Sequence, residues 1–219
     1  MKIGVIQASS QKDKNQLLYK CTMEAVEKYG YETINFGCFE DESAIYSYID
    51  IALEVSLLLS SESVDFIITG CSSGQGMMLA CNSLPGVICG YVENPQDAFL
   101  FGRINDGNAI SFPLGLNFGW CGEINLKCTL EKLFDGPFGS GYPSKDAERK
   151  KNDTLMLKKF NALTKRNMVD IFDQLDETIL NKALQRKNVV DFILNHGKNS
   201  DLLNLIKKKY LEKSKANDV

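Results

Sequence analysis

Short apolar runs alternate with amphipathic stretches along the first two thirds of the chain, and the two periods assign the elements. Uninterrupted runs such as Phe66-Ile67-Ile68 and Val87-Ile88-Cys89 are what strands covered on both faces require. Strands are predicted over 2–7, 32–36, 64–69, 86–92 and 108–113. Between them, apolar positions recur at helical spacing and predict helices near 12–29, 43–61, 75–83, 95–104 and 118–134. This alternation defines an α/β fold built on an open parallel sheet. In such a sheet ligands collect beyond the carboxyl ends of the strands, here where the loops after strands 1, 3, 4 and 5 gather.

The texture changes after Gly136-Pro137-Phe138-Gly139-Ser140-Gly141-Tyr142-Pro143. No strand-like run follows, while Leu155, Leu157, Phe160 and Leu163, then Met168, Ile171 and Leu175, recur at helical spacing. The expected organisation is an α/β domain over 1–145 and a helical C-terminal extension over 146–219, fraying in its last dozen residues. At 219 residues and 44% hydrophobic, the chain can bury a full core. The net charge of −3 hides an asymmetry: residues 1–144 carry 8 Lys and Arg against 17 Asp and Glu, and residues 145–219 carry 17 against 11. The basic residues of the extension are interleaved with acids and form no reading motif, so they are read as solvated helix faces and not as a nucleic-acid surface. No apolar run approaches the roughly 18 to 20 residues that span a bilayer, and Met1-Lys2-Ile3-Gly4-Val5-Ile6 opens as a strand without a signal-peptide pattern; no membrane association and a cytoplasmic location are expected. The 7 cysteines form an odd set without CxxC or Cys/His ligand spacing, which indicates neither a disulfide framework nor a zinc site.

Candidate chemistry concentrates in Asp65 to Asn82, where an apolar run leads through Gly70-Cys71-Ser72-Ser73-Gly74-Gln75-Gly76 into a helical pattern. Small residues let backbone N–H groups approach a ligand, and the following helix aims its positive dipole end at the same point. Both features favour a thiolate at Cys71, below the free thiol value of about 8.5, and so a usable base or nucleophile near neutral pH. Gly70-Cys71-Ser72-Ser73-Gly74 formally matches the G-x-S-x-G elbow of a serine hydrolase, but that chemistry and a Cys–His thiol hydrolase both need a histidine. The only one, His196, lies in the extension before Gly197 and reads as a helix end. A dinucleotide loop would place G-x-G-x-x-G after the first strand, where the chain has Ile6-Gln7-Ala8-Ser9-Ser10-Gln11. Proton abstraction beside a carbonyl needs only a modest base, an oxyanion cradle and a few hydroxyl partners, with no metal, cofactor or histidine. The plain alternative for Cys71 is a small buried cysteine filling a turn, a description that suits Cys81 and Cys89 better.

These residues resemble the superfamily of ribose-5-phosphate isomerase B and galactose-6-phosphate isomerase over about residues 1–143. The resemblance is carried by the opening strand, Gly30-Tyr31-Glu32-Thr33-Ile34-Asn35-Phe36-Gly37, the cysteine loop with Asn82-Ser83-Leu84-Pro85-Gly86, Glu93-Asn94-Pro95, and Asn105-Asp106-Gly107-Asn108-Ala109. It implies a three-layer α/β/α sandwich with a five-stranded parallel Rossmann-like sheet. It also implies cofactor-free aldose–ketose isomerisation through a cis-enediolate, on a small sugar or sugar acid, by a homodimer with active sites between subunits; pairing of dimers into tetramers is left open. Position by position, Cys71 matches the catalytic base and Ser73 the residue that helps move a proton between the two oxygens. Backbone groups at Ser72, Gly74 and Gly76 match the enediolate cradle. Asn105 matches a substrate-binding asparagine and Tyr46 a tyrosine of the pocket wall, while Ser9 and Tyr142 occupy further substrate-binding positions.

The departures point to the substrate. Ala8-Ser9 stands where the phosphate-using enzymes carry Asp-His, and Ile104 stands where they carry the ring-opening histidine. Ser140-Gly141-Tyr142-Pro143-Ser144 replaces their arginine-bearing phosphate clamp. A bidentate arginine is the side chain best suited to a phosphate dianion, so a substrate with no phosphate and no ring to open fits better. The helical extension resembles a longer-chain branch in which some members convert 4-deoxy-5-keto uronates to 2,5-diketo isomers. Lys12, Lys14, Arg103 and Lys145 are the candidate partners for such a carboxylate. The competing expectation, from loss of both histidines, is a catalytically reduced sugar-binding subunit of a two-component isomerase.

Overall fold

The computed structural model describes residues 1–116 and 118–217, with side chains through residue 212. Five strands, β1 (Lys2–Ile6), β2 (Glu32–Gly37), β3 (Phe66–Cys71), β4 (Cys89–Tyr91) and β5 (Ala109–Pro113), form one sheet in the order β2-β1-β3-β5-β4. Every pairing is parallel. Side chains alternate between its faces, as the pleat requires. Ile67 packs toward α2 (Tyr48–Ser60) and α3 (Gln75–Asn82). Phe66 and Ile68 pack toward α1 (Asn15–Val26), α4 (Pro95–Leu100) and α5 (Gly122–Leu133). The result is the expected three-layer sandwich.

Element ends differ from the sequence reading for local reasons. β3 runs two residues further, to Cys71, because its ladder with β5 continues through Gly70↔Phe112 and Cys71↔Pro113. β4 is shorter at its start, where Ile88 N donates to the side chain of Asn108 at 2.8 Å and not to a backbone carbonyl. α2 begins only at Tyr48, where a capping box fixes it: Ser47 Oγ accepts from Asp50 N and Asp50 Oδ2 accepts from Ser47 N. The stretch 9–29 divides into a 3-10 turn, α1 and a second 3-10 turn.

The extension forms α6 (Ala147–Thr164), α7 (Met168–Ile171), α8 (Glu177–Ala183), α9 (Lys187–His196) and α10 (Ser200–Asn217). α10 runs to Asn217, and the final two positions of the segment expected to fray lie outside the described residues. Met168, Phe172, Leu180, Leu184, Val190, Ile193, Leu202 and Ile206 join the same core as Phe36, Ile51 and Leu58. The extension therefore covers the outer side of α2, which explains why that helix buries every residue from Asp50 to Leu59. By contrast, α6 leaves Leu155, Met156, Leu157, Phe160 and Leu163 exposed, so the periodicity that identified this helix marks no buried face in the single chain. Among the described residues, no helix is long and apolar enough to cross a membrane.

One buried carboxyl–guanidinium contact joins the two parts. Glu54 of α2 is fully buried; Arg186 Nη1 donates to its Oε2 at 2.8 Å, while Oε1 has no hydrogen-bond partner. Burial pushes the Glu54 carboxyl up to about 8 against the pull of the guanidinium. The folded carboxyl thus holds its proton where the unfolded one, at about 4.3, has released it. Its contribution to stability is full below that unfolded value and is lost as pH rises through about 8. Denaturant titrations from about pH 5 to pH 8 should show this decline, and Glu54→Gln should flatten it.

Candidate active site

β1 lies beside β3, and the chain leaves their carboxyl ends in opposite directions, toward β2 from one and toward β4 and β5 from the other. Divergence of two such loops opens a crevice at the switch point of the sheet. Ala8 N bridges it, donating to Gly70 O at 3.0 Å. The crevice is a cavity of about 400 Å³ with three walls: Ala8 and Ser10 after β1, Cys71, Ser72, Ser73 and Gly76 after β3, and Ile45 to Tyr48 at the entry to α2.

Cys71 is the last residue of β3, is 7% exposed and is among the residues lining the cavity. The strand end is anchored through its carbonyls: Leu114 N donates to Cys71 O, and Gly115 N and Leu116 N both donate to Ser72 O. The first turn of α3 follows directly, with Gly76 at the cavity, and a helix start has no internal acceptors for its N–H groups. Gly74 caps this helix at φ 72, and a Cβ there would lie 2.9 Å from Phe112 C, Pro113 N and the Tyr91 ring, so no side chain fits. Ser72 is held by its hydroxyl, which accepts from Gln11 Nε2 at 3.0 Å and donates to Ser10 Oγ at 3.2 Å. Ser73 and Gly76 line the cavity directly, the latter against the Tyr48 ring.

Tyr46 is 8% exposed and lines the same cavity. Ser9 fastens its backbone: Tyr46 N donates to Ser9 Oγ at 2.8 Å and Ser9 N donates to Tyr46 O at 3.0 Å. The Ser9 side chain therefore holds the wall. Burial pushes the Tyr46 phenol up.

Two candidate residues lie elsewhere in this chain. Asn105 is exposed and ends a π-helical turn, Phe101–Asn105, before β5. It therefore sits at the amino edge of the sheet, with the Ile67-to-Cys71 length of β3 between it and the cysteine. Tyr142 packs edge-on against Phe99 with ring centroids 5.2 Å apart and lines a separate apolar groove with Pro95 and Leu100. Of the candidate cations, Arg103 is buried and donates to Leu133 O and Asp135 O, closing the end of α5. Lys12 donates to Glu42 O, whereas Lys14 donates to Gln11 Oε1 at 3.2 Å, one side chain away from Ser72. Lys145 is exposed in a 3-10 turn.

Sequence reasoning missed Ser10, Gln11, Ile45, Ser47 and Tyr48 as site residues. A signal existed for the last three: Ser47-Tyr48-Ile49-Asp50 has capping-box spacing, which would have moved the start of α2 and left 45–47 as a loop at the site. Cys81 and Cys89 are buried, and their mutual hydrogen bond together with burial pushes the Cys89 thiol well up, as suits core cysteines.

The sequence profile described as Ribose/Galactose Isomerase matches residues 8–120, a span holding the strand-1 loop, the wall and the cysteine loop. No curated protein sequence matches the chain. Among solved structures, a 4-deoxy-L-threo-5-hexosulose-uronate ketol-isomerase complexed with a tartrate is 34% identical, with a TM-score of 0.91 over 95% of this chain and 98% of that one. A ribose-5-phosphate isomerase from Vibrio parahaemolyticus is 33% identical, with a TM-score of 0.90 over the same shares. The type B ribose 5-phosphate isomerase of Trypanosoma brucei, 19% identical with a TM-score of 0.57, covers 71% of this chain and 97% of its own, a likeness of fold. With the matched profile, two relatives alike over nearly their whole length and a crevice at the switch point of the sheet, the chain belongs to the ribose/galactose isomerase family and is an aldose–ketose isomerase.

Proposed function

We propose that the enzyme isomerises an open-chain, non-phosphorylated keto-uronate of the 4-deoxy-5-hexosulose-uronate type, with Cys71 as the base. The observation that carries the reading is the lining that this chain gives the cavity: a cysteine, serines and tyrosines, with neither arginine nor histidine among the described lining residues. Such a site can move protons and bind hydroxyls, but offers no bidentate partner for a phosphate dianion. In the proposed reaction the Cys71 thiolate lifts the C2 proton and the electron pair forms the C1–C2 double bond of an enediolate. The negative charge resides on O1, where the N–H groups opening α3 stabilise it. Ser73 relays the O2 hydroxyl proton to O1, and the thiol returns its proton to C1. Lys14, coupled through Gln11 to Ser72, meets the distal carboxylate.

The working unit in this proposal is a homodimer. Asn105 is far from Cys71 within one chain, yet it borders α6: Lys158 pairs with Asp106 and Thr154 Oγ1 donates to Ile104 O. A second copy burying the exposed apolar side chains of α6 would carry Asn105 into the interface, as the family resemblance implies. A cytoplasmic location belongs to the same proposal and rests on the cysteine usage.

A second reading, ribose 5-phosphate as substrate, is favoured by the equally similar structure described as a ribose-5-phosphate isomerase. A panel of 4-deoxy-5-keto uronate, ribose 5-phosphate and galactose 6-phosphate, followed by NMR with the purified chain alone, tests both. The proposal expects turnover of the uronate with kcat/KM at least about a hundredfold above that of either phosphate. Preferred turnover of a sugar phosphate would reverse the substrate assignment, and no turnover of any would favour the binding-subunit alternative.

A further inference from the structure

We infer that the helical extension is a clamp on the active-site wall, with Lys182 and Arg186 as its positioning residues. This rests on the reading of the Cys71 cavity as the active site. The wall formed by residues 45–48 belongs to no regular element before Tyr48, and two cations of the extension reach it.

Arg186 lies between α8 and α9 with its guanidinium carbon 4.7 Å from the centroid of the Tyr46 ring. It is fixed by Glu54, Glu42 and the carbonyl of Phe36, all outside the extension. Gly37 leaves it room: a Cβ there would lie 2.8 Å from Nη2. Lys182 of α8 reaches the same wall twice. Its Nζ is 5.4 Å from the Tyr46 ring centroid and donates to Asp50 Oδ2 at 2.7 Å. That oxygen is also the one that accepts from Ser47 N at 2.7 Å, so the lysine bonds to the capping box that sets the path of Ser47 and Tyr48. Burial opposes ionisation of Asp50, but the hydrogen bonds from Lys182 and Ser47 outweigh it and hold the carboxyl below the ordinary aspartate range. Tyr46 is thus gripped by its backbone from Ser9 and by its ring from two cations of the extension. Cation–ring contacts and a charged cap bond both orient a side chain, and catalytic geometry is sensitive to displacements of about 1 Å.

The test uses the full-length enzyme with Lys182→Met, because Lys182 is half-buried and its loss should leave the fold intact where loss of Arg186 would not. Two measurements are made beside a melting curve: kcat and KM on the uronate, and the rate of iodoacetamide alkylation at Cys71, resolved by peptide mass spectrometry from the exposed Cys121 and Cys128. The expected result is a melting temperature close to wild type, Cys71 alkylation faster by about tenfold and kcat lower by about tenfold as the wall loosens. Lys182→Arg should restore both. Lys209→Met, which removes the Lys209–Glu177 pair of the same extension, should change neither. Folded Lys182→Met and Arg186→Lys variants with wild-type alkylation and wild-type kcat would overturn the clamp. A wild-type chain without turnover whose Cys71 alkylation still responds to Lys182→Met would support the clamp and remove the isomerase substrate reading alone.

Discussion

Cys71→Ala is expected to lower kcat by a hundredfold or more with little change in the melting temperature. The alanine removes the thiol proposed as the base, while the strand end stays anchored by Leu114, Gly115 and Leu116. KM should change little, because the hydroxyl and backbone groups proposed to bind the substrate remain. Cys71→Ser preserves shape but not an acidity suited to neutral pH, so it should lie near the alanine variant and far from wild type. Steady-state kinetics beside a melting curve distinguish this from unfolding. A Cys71→Ala enzyme within a fewfold of wild-type kcat would assign the base elsewhere.

Arg186→Met is expected to be the most destabilising single change in the extension. It leaves Glu54 fully buried with neither oxygen partnered and strips the carbonyl of Phe36 of one of its two donors, the other being Asn188. Leaving a buried polar group without its hydrogen-bond partner costs about 1 to 3 kcal/mol. For a chain of this size that is a fall of about 5 °C in melting temperature. Adding Glu54→Leu should recover part of the loss, because two apolar groups in place of the pair leave no carboxyl to desolvate. A double variant no more stable than Arg186→Met would show that the other bonds of Arg186 matter more than Glu54.

β3 and β4 were legible from the unbroken apolar runs Phe66-Ile67-Ile68 and Val87-Ile88-Cys89, and the cysteine loop was legible because strand, small residues and helix follow one another within eighteen positions. The ends of helices were less so. Apolar spacing extends the predicted helix back to residue 43, whereas a side-chain cap at Ser47 decides where α2 starts. The placement of Asn105 follows from strand direction alone: a residue just before a parallel strand lies at the amino edge, opposite a site built at the carboxyl edge. The Arg186–Glu54 pair joins residues 132 positions apart, and no local pattern announces it. The apolar side chains of α6 gave the right helix without a partner face, since periodicity reports a shared side of a helix and not what covers it.

The central claim, proton transfer through an enediolate at Cys71, is tested most directly by running the isomerisation of 4-deoxy-5-keto uronate in deuterium oxide and reading the product by NMR. The account predicts solvent deuterium at the carbon that receives the proton, and none formed over the same period with Cys71→Ala. Full retention of the substrate hydrogen at that carbon, with no deuterium gained over complete conversion, would indicate hydride transfer and contradict it.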